Sequence, residues 1–213
     1  MAESETGLSD ILKDLNIKDT DFLEWFWTGS NGNDLIKKLN KYAQDQKFTD
    51  RIRREKYSPT VYGIVVNDFP FPNDHHYKLV KVGFTHRSIR QGSNNRMEQL
   101  QEQLESVIKK SNKEAFSSIL FRLPIGCVDI TPFYDREAQI RERVGIKVKK
   151  EKAQECNLPV PTEWVLTTQK HIDKIRERKD KACRSQNPDV IDIFKEIKAP
   201  TITQLPKEYQ GWV

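Results

Sequence analysis

The sequence has few cysteines, few histidines and no long apolar run, and each shortage narrows the class of protein. Three of the 213 residues are cysteine and four are histidine. Cys127, Cys156 and Cys183 are widely spaced and odd in number, so we expect free thiols rather than a disulfide framework. His75 and His76 adjoin, but no cysteine or carboxylate pair stands at ligand spacing, so no zinc site is predicted.

Long runs of apolar residues are also missing from the sequence. No stretch approaches the roughly 18 consecutive apolar residues that a membrane-spanning helix needs. Hydrophobic residues make up 36% of the chain and charged residues 31%, so its helices and strands should be amphipathic. We therefore expect a soluble, unsecreted protein that does not enter membranes and resides in the cytoplasm or nucleus.

Charge is distributed unevenly along the chain. Residues 1–50 hold ten acidic and six basic residues, a net charge of −4, whereas the whole chain carries +5. Residues 51–213 therefore carry +9. This asymmetry favours a polyanionic partner for the basic part, with nucleic-acid phosphates the leading candidate and a solubilising surface the alternative.

The pattern of apolar residues divides the chain into three segments. Residues 1–57 read as a helical module, with an aromatic-rich stretch between Asp21 and Trp27. Residues 58–168 alternate strand and helix patterns, and residues 169–213 combine a basic helix with an extended tail. The prediction is an α+β fold in which a small antiparallel sheet of three strands is flanked by helices.

The middle segment begins with two strand patterns. Val61 to Val66 and Tyr77 to Thr85 are rich in β-branched and aromatic residues, and the proline-containing turn between them predicts an antiparallel hairpin. Tyr62 and Gly83 would then meet on one surface, because a residue without Cβ permits close approach of its neighbours. An amphipathic helix from Asn94 to Lys110 and a third strand from Ser117 to Leu123 follow.

The order of these motifs resembles the GIY-YIG nuclease superfamily. The resemblance rests on Val61-Tyr62-Gly63-Ile64, on Lys81-Val82-Gly83-Phe84-Thr85, on Arg96 in the first helix and on Glu137 in the second. It covers about residues 58–168. More narrowly the chain looks like the phage-type DNA-binding branch, in which Lys commonly replaces the second Tyr, as Lys81 does here.

The resemblance implies a divalent-metal-dependent DNA endonuclease. Carried over by position, the catalytic residues become Tyr62, Lys81, Arg96 and Glu137, with His86 a further proton-transfer candidate. Glu137 would be the ligand for Mg²⁺ or Mn²⁺. Such a metal and an arginine neutralise the charge that develops on the phosphoryl oxygens.

Alternatives exist for two of these residues, and three features depart from the family. Arg87 and Arg90 compete with Arg96, and Glu142 lies on the same helix as Glu137. The leading Gly of the family pattern is absent, its second Tyr is Lys81, and Glu163-Trp164 occupies the region of a late Asn.

Candidate DNA contacts lie outside the motifs as well. They are basic residues on loops, on a basic run and on the long helix from Thr168 to Arg184, and duplex DNA is the expected ligand. The set comprises Arg87, Arg90, Lys147, Lys149, Lys150, Lys170, Lys174 and Arg178.

Two competing functions stay open. The first is a DNA-binding domain that has lost catalysis. The second is a protein-interaction module that docks a partner through residues 1–57, and it requires an exposed apolar patch among Trp25, Phe26 and Trp27. Both DNA functions instead require a basic face around Tyr62, Lys81 and Arg96.

Overall fold

The computed structural model describes most of the predicted elements. It covers residues 8–28, 34–35, 37–39, 41, 60–71, 74–85, 93–124, 133–185, 187, 192–202 and 205–213. The helices are α1 (Leu8–Asp14), α2 (Asp19–Thr28), α3 (Ser93–Ser111), α4 (Phe133–Val144), α5 (Lys150–Glu155) and α6 (Gln169–Arg184). The strands are β1 (Thr60–Asn67), β2 (Tyr77–Thr85), β3 (Phe116–Pro124), β4 (Ile146–Lys147) and β5 (Trp164–Thr168).

The sheet has five antiparallel strands in the order β3-β1-β2-β5-β4. The mixed α+β class is confirmed, but the predicted three-stranded sheet was wrong. The apolar piece at Trp164 to Leu166 forms β5, which pairs with β2, and the two residues of β4 extend that edge. Short strands of this kind leave too weak a sequence pattern to be recognised without their neighbours.

The hairpin of β1 and β2 has the register on which the site depends. Tyr62 lies directly opposite Gly83, and Ile64 lies opposite Lys81. Side chains alternate between the two faces of a strand, so Tyr62, Lys81 and Gly83 share one face. The predicted meeting of Tyr62 and Gly83 is therefore present in the structure.

Helices cover both faces of the sheet. On one face, α1, α2, α4 and α6 pack against buried residues that include Val61, Val80 and Val165. On the other, α3 and the C-terminal residues pack against residues that include Ile64, Leu79 and Leu166. Burial on both faces explains why β1 is apolar along nearly its whole length instead of alternating.

The aromatic residues of α2 belong to this core. Trp25 is 2% exposed and Phe26 is 3% exposed, and both pack in the cluster that contains Val61 and Phe121. Arg122 of β3 also donates a hydrogen bond to the Phe26 carbonyl oxygen at 3.1 Å, which satisfies one of the free carbonyls at the end of α2. Trp25 and Phe26 do not form the exposed apolar patch that the protein-interaction hypothesis requires, and the Trp27 side chain lies outside the described residues.

The described part of the tail is packed rather than extended. Ile193, Phe194 and Ile197 join one core cluster, and Tyr209 and Trp212 join the other. The Tyr209 hydroxyl donates to Asp74 Oδ2 at 2.6 Å, which fastens the tail to the loop before β2. The prolines in the tail predict an irregular segment, and sequence pattern does not reveal whether such a segment packs. Tertiary contacts rather than local pattern hold the tail in place.

Candidate functional site

Tyr62, Gly83 and Glu163 meet at one point on the sheet. A Cβ placed on Gly83 would lie 2.5 Å from the Tyr62 hydroxyl oxygen and 2.7 Å from Glu163 Oε2. A side chain at position 83 would force Tyr62 or Glu163 to shift, so glycine allows the phenol and the carboxylate to lie over the backbone of β2. Glu163 stands in the turn at Pro161–Glu163, immediately before β5.

Lys81 lies beside this point and is buried. Its ammonium forms an ion pair with Glu163, and its Nζ atom is 5.8 Å from the centre of the Tyr62 ring. The side chain is only 1% exposed. Burial lowers the pKa of Lys81 below its ordinary value, and the adjacent Glu163 opposes that effect. In this position Lys81 contacts a carboxylate of its own chain. The basic face predicted around Tyr62, Lys81 and Arg96 is not formed by Tyr62 and Lys81, because both are buried. The Arg96 side chain lies outside the described residues.

Glu137 approaches the same group from α4. It is buried, and it forms an ion pair with Arg141 one turn further along the helix. Burial raises the pKa of Glu137 above its ordinary value, Arg141 acts against that rise, and Glu163 adds to it. The charge of Glu137 also favours the protonated form of Lys81. We call Tyr62, Lys81, Glu137, Arg141 and Glu163 the buried charge cluster.

The charges of this cluster balance. Two carboxylates face two cations, and each carboxylate forms an ion pair with one of them. Buried charges require such pairing, since an isolated one would cost several kcal/mol, about 3 to 5 in measured cases. The two ion pairs therefore leave the cluster with no net charge.

A divalent cation does not fit this arrangement. Mg²⁺ and Mn²⁺ bind carboxylate oxygens, and a carboxylate that is already paired with a cation of the protein is a weaker ligand for them. Here Glu137 is already paired with Arg141, and Lys81 and Glu163 lie close by. Within the described residues, no three His, Cys, Asp or Glu side chains gather into a group that could hold a metal ion.

Three of the predicted catalytic residues come together in the structure. Tyr62, Lys81 and Glu137 lie in the buried charge cluster. Arg96 lies on α3, but its side chain is outside the described residues, and so is His86. The alternative Glu142 is exposed.

Sequence reasoning missed two members of the cluster. Arg141 follows Glu137 by four residues, a spacing that places both on one helix face and that could have been noticed. Glu163-Trp164 was noted as the end of the motif series and as a departure from the family pattern, without a role for the Glu163 side chain. Its contact with Lys81 spans 82 residues and has no local signal.

The predicted DNA contacts fall on two surfaces. Lys147, Lys149 and Lys150 are exposed around β4 and the start of α5, whereas Lys170, Lys174 and Arg178 lie on α6. Arg87 and Arg90 lie outside the described residues.

Comparisons with known proteins add no family assignment. A scan against protein-family models and searches of curated proteins and of solved structures found no match. In the described part of the chain, no helix is long and apolar enough to cross a bilayer.

Proposed function

We propose that this chain binds duplex DNA through contacts to the phosphate backbone and does not cleave it. The observation that carries the proposal is a row of basic side chains on the exposed face of α6. We call Lys170, Lys174, Lys181 and Arg184 the basic stripe.

The stripe has a regular geometry. At 100° per residue these four positions fall within an arc of about 80° on the helix surface, and they extend over about 21 Å. All four side chains are exposed. The opposite face of α6 buries Ile172, Ile175 and Ala182 in the core, which fixes the direction of the stripe.

The charge of the stripe is largely uncompensated. Among the described residues, the four basic side chains make no ion pair, whereas Arg178 pairs with Glu196 and Arg176 approaches Asp173 at 3.5 Å. Glu177 is the one acidic residue within the arc. Exposed cations without carboxylate partners are free to neutralise phosphates. Each DNA strand carries one phosphate per about 3.4 Å of helix axis, so several phosphates lie within the length of the stripe.

The buried charge cluster supports the absence of cleavage. Hydrolysis of a phosphodiester needs a group that neutralises charge developing on the phosphoryl oxygens. Both cations of the cluster are engaged with carboxylates, and Tyr62, Lys81 and Glu137 are each less than a tenth exposed. The meeting of these motif residues favours the GIY-YIG-like resemblance, while their pairing favours its non-catalytic branch.

Binding is tested by a titration of duplex DNA at several salt concentrations. Four phosphate contacts predict that log K falls by about 3.6 per log unit of salt, because each contact releases about 0.9 counterion. An affinity that hardly changes with salt would overturn the proposal. A protein partner for residues 1–57 would then be the function to pursue.

The competing proposal, endonuclease activity, is tested on the same preparation. Supercoiled plasmid incubated with the protein and Mg²⁺ or Mn²⁺ should remain intact. Nicking by the parent chain that disappears in Glu137→Gln would instead establish metal-dependent cleavage at this site, since an amide is a poor ligand for a hard cation. Nicking that persists in Glu137→Gln would indicate a contaminating nuclease.

A further inference from the structure

The ion pair of Arg141 and Glu137 is built into a single helix. The two residues lie four apart on α4, so their side chains occupy neighbouring positions on one helix face. Their contact therefore needs no movement of the rest of the fold. Arg141 is 21% exposed, which leaves one side of the pair open to solvent.

Within the described residues, Glu137 is the hydrogen-bond partner of the Arg141 guanidinium. Its Nε atom is buried and has no hydrogen-bond partner among the described residues. A buried donor without a partner costs about 1 to 3 kcal/mol. The ion pair with Glu137 therefore forms despite the unsatisfied Nε–H group of Arg141. Attraction to the carboxylate, rather than a wider network, holds it there.

Glu137 stands in an environment that attracts cations. It is mostly buried, and the negative charge of Glu163 lies close enough to raise its pKa. Lys81 neutralises Glu163 directly, which leaves Arg141 as the partner of Glu137. If Arg141 were absent, Glu137 would need another cation or a proton.

We infer that Arg141 takes the place of a divalent cation at Glu137, so that this chain masks the carboxylate with its own side chain. The family resemblance implies that Glu137 is a metal ligand, whereas in the structure Glu137 contacts the Arg141 guanidinium. Arg141 pairs with Glu137 in the protein without DNA, whether or not the basic stripe binds nucleic acid.

The test measures binding of Mn²⁺ alone to the full chain, by the loss of the electron paramagnetic resonance signal of free Mn²⁺. Arg141→Gln should bind Mn²⁺ at least about tenfold more tightly than the parent, because removal of one nearby positive charge favours a cation at Glu137. The double variant Glu137→Gln/Arg141→Gln should return to the parent level. Arg143→Gln on the same helix serves as the matched control and should behave like the parent.

Two results would overturn the inference. The folded Arg141→Gln variant could bind Mn²⁺ no more tightly than the parent, or the double variant could keep the gain. Circular dichroism checks that each variant is folded. If Arg141→Gln does not fold, Arg141→Met keeps the packing of the aliphatic stem and is expected to show the same gain.

Discussion

The buried charge cluster and the basic stripe use the same kinds of side chain for opposite purposes. In the cluster, Lys81 and Glu137 are buried, and each has a half-buried partner of opposite sign. In the stripe, four cations are exposed and, within the described residues, unpaired. Burial makes an unpaired charge costly, whereas water screens an exposed one.

Under the proposed DNA-binding function, the stripe rather than the cluster would receive the polyanion. The cluster satisfies its own charges and leaves Tyr62 enclosed. The stripe carries positive charges that face solvent and, among the described residues, form no ion pair. Motif residues therefore do not by themselves mark a working site, because the availability of their charges decides what they can bind.

The largest loss of stability should come from removing one charge of the ion pair between Lys81 and Glu163. Glu163→Leu leaves the Lys81 ammonium buried without its carboxylate and should cost about 3 to 5 kcal/mol of unfolding free energy. The double variant Lys81→Met/Glu163→Leu removes both charges and should recover most of that loss. Urea denaturation measures both values. Equal stability of the single and double variants would show that the pair is not coupled.

Adding one carbon at Gly83 should disturb the cluster without changing its charge. Gly83→Ala places a Cβ against Tyr62 and Glu163 and should destabilise the protein by about 1 to 3 kcal/mol. Gly211→Ala is the matched control, because its Cβ would meet only Lys152 Cε at 3.6 Å, an ordinary contact. Thermal unfolding compares the two, and a similar loss for both would contradict the close approach at Gly83.

Neutralising part of the stripe should weaken DNA binding without affecting the fold. Lys170→Gln/Lys174→Gln should lower affinity about tenfold at moderate salt and reduce the salt slope by about 1.8, since two phosphate contacts are lost. Lys110→Gln/Lys113→Gln removes two exposed lysines, one in the last turn of α3 and one just after it, and α3 packs on the other face of the sheet. Equal losses in the two variants would show that binding follows net charge rather than the stripe.

The smallest change in stability should come from His171, on the buried face of α6. Burial lowers the pKa of His171, although its Nε2–H donates to the Arg143 carbonyl oxygen at 2.7 Å. The native state therefore binds fewer protons than the unfolded chain, and stability should fall as pH drops from about 6.5 towards the lowered pKa. His171→Gln keeps a donor and should flatten this dependence in unfolding experiments. An unchanged slope would assign the effect to another group.

Local pattern was enough to find most of the helices and the central hairpin. The three- and four-residue spacing of Leu100, Leu104 and Ile108 predicted α3, and that face is buried. The turn between Val66 and Tyr77 predicted an antiparallel pair, which places Tyr62 opposite Gly83. These features depend on contacts close in sequence, so the sequence alone carries them.

Only the tertiary structure decided which charges are available. The contact of Lys81 with Glu163 joins β2 to a turn 82 residues later, and the packing of Trp25 and Phe26 joins α2 to the sheet. No local pattern encodes either contact, because burial and ion pairing arise only when distant segments pack together. The sequence by itself determined the α+β elements and the order of the motif, whereas packing determined that the motif's charges are paired and buried and that those of α6 are exposed.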